Sequence, residues 1–119
     1  AHHPGELHAT LEAVRSMGYE RIICAFQPHT YTRTKALFDD FVRELRTVDL
    51  AVLGEIYAAR EQNTLGISAR DLADQIDGAE FFKTLPEIAA FLKKTARPGD
   101  VVLTVGAGDI YRVADMITE

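Results

Sequence analysis

At 119 residues the chain fits one domain, long enough to bury a core of its own. Hydrophobic residues make up 47%, yet no apolar run approaches the ~20 residues of a membrane span, and the start lacks a secretory signal pattern. A formal net charge of −5, with acidic residues spread along the chain, argues against the basic face that a nucleic-acid partner requires.

An anionic ligand would therefore need a local cluster, and the candidates are His2, His3, His29, Arg33, Lys35 and Arg60. The single cysteine, Cys24, cannot form an internal disulfide. It lies in a predicted strand with no charged neighbour in sequence to favour its thiolate, so an inert core residue is expected rather than a nucleophile. These features suit a cytoplasmic protein.

Pro4 can occupy the first turn of a helix, where its missing N–H costs nothing. Leu7, Leu11 and Val14 then recur at helical spacing until Gly18. Tyr19 to Phe26 reads as the first strand. Leu37, Phe38, Phe41, Val42 and Leu45 form the stripe of one further helix, opened by Thr34. Leu50 to Leu53 is a short strand, followed by a polar loop through Gly66. Ser68 caps the next helix, with Asp71 near its positive end and Leu72 and Ile76 inward.

Ala79 to Phe82 is a short strand. Thr84-Leu85-Pro86-Glu87 has capping-box spacing, and Ile88, Phe91 and Leu92 supply the buried side. After the turn Arg97-Pro98-Gly99-Asp100, Val101 to Val105 reads as the clearest buried strand. Gly106-Ala107-Gly108 turns into a last helix capped by Asp109, with Ile110, Val113, Ala114 and Ile117 inward. Strands alternating with helices predict an α/β, Rossmann-like, mostly parallel sheet with helices on both faces.

In such a fold ligands bind at the carboxyl edge of the sheet. The nine residues Phe26-Gln27-Pro28-His29-Thr30-Tyr31-Thr32-Arg33-Thr34 cross that edge, carrying an imidazole, a phenol, three hydroxyls and a guanidinium. Pro28 stiffens the turn. The fork of Arg33 matches a carboxylate with two parallel hydrogen bonds. Two plainer readings stay open: a polar loop whose threonines cap the next helix, and a surface arginine paired with Asp39 or Asp40.

Glu55, Tyr57, Arg60 and Glu61 follow the second strand on the same edge, where charges so close together often simply neutralise one another. Gly106-Ala107-Gly108 holds only half of a dinucleotide fingerprint, since Tyr111 stands where a third glycine would fall. His3 and His8 are five apart, not the three or four that a helical pair of metal ligands needs. No metal site is expected.

Together these strings resemble the C-terminal domain of the Mur ligases. The resemblance rests on His2-His3-Pro4 with Glu6, the Phe26–Thr34 string, Glu55-Ile56-Tyr57-Ala58-Ala59-Arg60-Glu61, Asn63-Thr64-Leu65-Gly66-Ile67-Ser68, and Val105-Gly106-Ala107-Gly108-Asp109-Ile110-Tyr111. It covers nearly the whole chain. It implies a part in the ATP-dependent joining of L-alanine to UDP-N-acetylmuramate in peptidoglycan synthesis. A sister ligase adding another amino acid or a peptide is the nearest alternative, and a non-catalytic flavodoxin-like nucleotide binder is a third.

By resemblance, His29, Tyr31 and Arg33 hold the amino-acid substrate and His2 and His3 face the nucleotide. Glu55, Tyr57, Arg60, Gly106, Gly108 and Asp109 line the cleft. The family usually has Pro-Ala where this chain has Ala58-Ala59. It also precedes His-His-Pro with a strand ending in Asp-Asp-Tyr, so residues 1–119 are expected to be a domain cut from a larger ligase with its first strand truncated.

The P-loop string Gly-Lys-Thr/Ser is absent from these residues. ATP and Mg²⁺ are accordingly expected to act in the full-length enzyme and not to bind this domain tightly. The isolated domain is expected to carry no catalytic residue and to be inactive. Its partners would be L-alanine, UDP-N-acetylmuramate and ATP with the other ligase domains, without nucleic acid or membrane.

Overall fold

A computed structural model describes residues 3–106 and 110–118, so His2, Gly108 and Asp109 lie outside the described residues. In chain order the elements are α1 (Pro4–Arg15), β1 (Arg21–Gln27), α2 (Tyr31–Ala36), α3 (Phe38–Leu45), β2 (Leu50–Gly54), α4 (Ala69–Asp74), β3 (Glu80–Phe82), α5 (Leu85–Thr95), β4 (Asp100–Gly106) and α6 (Arg112–Thr118). The strands form one parallel sheet in the order β3-β2-β1-β4.

Alternation along the strands divides the core in two. Ile22, Cys24 and Phe26 of β1, with Ala51 and Leu53 of β2, face a cluster built with α1, α3 and α4. Ile23, Ala25 and Val52 face the other side, where Ile88 and Leu92 of α5 and Ile110 and Val113 cover them. Phe26 and Phe41 meet in the first cluster with ring centroids 5.2 Å apart. Burying one such side chain completely stabilises the fold by about 1.5–3 kcal/mol. Cys24 lies fully buried at the middle of β1, and desolvation pushes its thiol from 9.0 up to about 12.

The expected capping box forms, and the Ser68 cap proves to be a second one. Ser68 and Asp71 close the start of α4, and Thr84 and Glu87 that of α5. Five expectations need correction. The first strand begins at Arg21, leaving Tyr19 exposed. The single helix expected after it is two, broken at Leu37 (φ −112°, ψ 19°). Thr30 caps α2, whereas Thr34 is buried and donates its hydroxyl to the Thr30 carbonyl at 2.7 Å. Such back-bonding to the preceding turn bends helices, and here the ladder re-forms one turn later.

The fourth correction concerns β4. It is an edge strand in which only Val105 is buried. Its apolar run reads like a central strand because one side packs on β1 and both faces meet helices. Lastly, Ala114 is exposed. With Val102, Thr104 and Ile117 it lines an apolar depression of about 140 Å³ beside that edge.

Candidate functional site

Registers align the carboxyl ends of three strands: Phe26 pairs with Leu53, and Gln27 with Gly106. The strands β1, β2 and β4 therefore end side by side, and the turns that follow β1 and β2 leave the sheet as neighbours. A side chain at Gly106 (φ 157°) would place its Cβ 2.8 Å from the Gln27 carbonyl oxygen, so only glycine allows β4 to pass so close. The buried Gln27 reaches from the end of β1 to the residues ahead of α6, its Oε1 accepting from the Ile110 amide at 3.2 Å.

The first two turns are joined by an extension of the parallel ladder. Thr30 N donates to the Tyr57 carbonyl and Tyr57 N to the Pro28 carbonyl, both at 2.8 Å. This bridge stacks the rings of His29 and Tyr57, with centroids 5.8 Å apart and planes 16° from parallel. One helical turn on, Arg33 Nη1 lies 3.3 Å from His29 Nδ1. A guanidinium can only donate, so this contact makes Nδ1 the acceptor and leaves the ring proton on Nε2. Arg33 is half-buried, while Asp40, one of its possible partners by sequence, pairs with Arg43.

His29, Tyr57 and Arg33 are thus brought together on one rim. The remaining predicted residues are placed differently. The Tyr31 ring packs partly buried against the α1–α3 cluster, and its amide serves the site instead. Glu55 turns towards α4, its Oε1 accepting from Ile56 N at 3.0 Å and from Ser68 Oγ and Ala69 N at 3.4 Å. Arg60 is exposed. His3 caps α1, its Nδ1 accepting from Gly5 N at 3.1 Å.

Glu61 is the residue whose role could not be read from the sequence. Its Oε1 accepts from Tyr31 N at 2.6 Å and Thr32 N at 3.2 Å, and its Oε2 from the Thr32 hydroxyl at 2.6 Å. The Thr32 hydroxyl, then the amides of Thr32 and Tyr31, hold this carboxyl below the usual glutamate value. Near it lie the non-glycine residues that have positive φ among the described residues: Thr30 at 63°, Ala59 at 50° and Arg60 at 75°. Each such conformation costs on the order of 1–3 kcal/mol and persists only where the surroundings enforce it. For β-branched Thr30 the strain is greatest.

Chemically, the rim offers a guanidinium fork and an imidazole held on a stiff frame, a set suited to a small carboxylate-bearing ligand. Comparison with known proteins gives a consistent picture. Residues 1–108 match the family model described as Mur ligase, glutamate ligase domain. UDP-N-acetylmuramate–L-alanine ligase of Caldanaerobacter subterraneus is 46% identical over 123 residues, covering 100% of this chain and 27% of that protein.

The protein of the same name from Acetivibrio thermocellus is 47% identical over 120 residues, covering 98% of this chain and 26% of its own length. The chain thus spans about a quarter of the length of these relatives. A domain solved from Haemophilus ducreyi, attributed to a UDP-N-acetylmuramate:L-alanyl-gamma-D-glutamyl-meso-diaminopimelate ligase, superposes with a TM-score of 0.67 at 17% identity. It covers 99% of this chain and 84% of its own, a likeness of fold. With the family model matched along nearly its whole length, the chain belongs to the Mur ligase family.

Proposed function

We propose that residues 1–119 are the C-terminal domain of a peptidoglycan-building ligase that joins L-alanine to UDP-N-acetylmuramate with ATP. The joined His29–Tyr57–Arg33 rim carries the reading, together with the names of the relatives near 45% identity. In this reaction ATP phosphorylates the lactyl carboxylate and leaves as ADP. The amine of L-alanine attacks the acyl phosphate, the C–O bond to phosphate breaks, and the amine gives up a proton.

This chain's share is to bind and orient. Arg33 takes the carboxylate of L-alanine through its fork, and His29 and Tyr57 wall the pocket and direct the amine. His2 and His3 are assigned to the nucleotide side, and Gly106 lets β4 end close against Gln27. Mg²⁺ is assigned, with the ATP phosphates, to the rest of the proposed ligase. Closing this domain over the others would exclude water that otherwise hydrolyses the acyl phosphate. Among the described residues no helix is long and apolar enough to cross a membrane.

Steady-state kinetics of the full-length ligase test the assignment. Arg33→Ala removes a charge-assisted hydrogen bond worth about 1.5–3 kcal/mol, so the KM for L-alanine should rise roughly ten- to 150-fold. The KM for ATP should stay close to wild type. Arg33→Lys should recover only part of the loss, since it keeps the charge without the fork. Unchanged KM and kcat for L-alanine would reduce Arg33 to an ordinary surface charge.

A further inference from the structure

Glu61 has no part in the chemistry above, yet it grips a turn thirty residues away. Two first-turn amides of α2, Tyr31 N and Thr32 N, end on its Oε1, and the Thr32 hydroxyl on its Oε2. Such amides have no partner within their own helix, and a negative group suits that end of the helix dipole. We propose that Glu61 is the positioning residue of the amino-acid site: its carboxylate fastens the loop after β2 to the start of α2, and so holds His29 and Arg33 in register with Tyr57. The inference rests on the reading that this turn binds the amino acid.

Three observations converge on it. First, the tie and the backbone bridge between His29 and Tyr57 join the same two segments at separate points. Secondly, the strained residues sit beside these joints, Thr30 before Tyr31 and Ala59 and Arg60 before Glu61. Strain of that kind relaxes once its enforcing contacts go, so loss of the carboxylate would release both segments at once. Thirdly, Glu61 already occupies the Tyr31 and Thr32 amides. A bound carboxylate must then find its donors in side chains, which is the part given to Arg33.

The test uses the full-length ligase with Glu61→Ala, Glu61→Gln and Thr32→Val, read by hydrogen exchange across residues 28–36 and by steady-state kinetics. Glu61→Ala should speed exchange there and raise the KM for L-alanine roughly tenfold, with the KM for ATP unmoved. In Glu61→Gln the amide oxygen can still accept from both backbone N–H groups while its NH₂ donates to the Thr32 hydroxyl oxygen. That variant should return to within about threefold of wild type.

Thr32→Val deletes one of the three bonds and should raise the L-alanine KM about threefold, which covers the case of Glu61→Ala failing to fold. An unchanged L-alanine KM in either variant, or an equal rise for both substrates with a fall in melting temperature, overturns the proposal. Faster exchange without a KM change, where Arg33→Ala does raise KM, sinks the positioning role alone. Normal L-alanine kinetics in Arg33→Ala sink the substrate reading instead.

Discussion

Arg21 and Asp100 are partners across the β1–β4 register at the end of the sheet opposite the site. Arg21 donates from Nε and Nη2 to the two oxygens of Asp100 at 3.1 and 2.7 Å, and Arg97 N adds a third bond at 2.9 Å. The hydrogen bond from Arg21, with that from Arg97 N, holds the Asp100 carboxyl below its usual 3.8. A folded value below the unfolded one means that the stabilisation is complete above 3.8 and fades as pH falls through the folded value. Wild type should therefore melt above Asp100→Asn at neutral pH, with the gap closing as the solution is acidified below pH 3.8. Melting curves with a gap that stays constant across that range would count against the ion pair. Sequence alone gives neither this pair nor the Glu61 tie, because their partners lie 79 and about 30 residues apart. The closeness of His29 and Arg33 was legible because one turn carries both.

Local signals read true where a few neighbouring residues decide the structure. Thr84 and Glu87 satisfy each other's backbone, with Thr84 N to Glu87 Oε1 at 3.2 Å and Glu87 N to Thr84 Oγ1 at 3.4 Å. Thr84→Ala should lower stability by about 1 kcal/mol, seen as a lower denaturant midpoint at constant m. A midpoint equal to wild type would mean that water replaces the cap without loss. The break between α2 and α3 was hidden because it involves neither Gly nor Pro. It falls at Leu37, whose φ of −112° and ψ of 19° leave the helical region while its side chain packs partly buried on the core. The position of β4 was hidden likewise. A strand covered by helices on both faces has the same apolar run whether or not a neighbour pairs with its outer edge.

Across the whole molecule, β1 to β2 to β3 steps one way with α2, α3 and α4 on one face. The return to β4 runs the other way with α5 on the opposite face. Both paths have one hand, the right-handed one of parallel crossovers. Because α1 shares the face of α3 and α4, a strand entering α1 by the same hand would lie beyond β4, over the depression at Val102 and Ile117. On the reading proposed above, in which this domain belongs to a longer ligase, adding roughly ten upstream residues, about one strand and its turn, should raise the melting temperature. No rise would show that the β4 edge accepts no such strand. At the other extreme of exposure, Cys24 sits between Ala51 and Leu103 with paired strands on either side. A thiol reagent needs a thiolate and a path to it, and here it obtains both only when the sheet itself comes apart. The domain thus carries a built-in gauge of its own integrity, and a second cysteine placed on its surface can be dyed while the first stays silent.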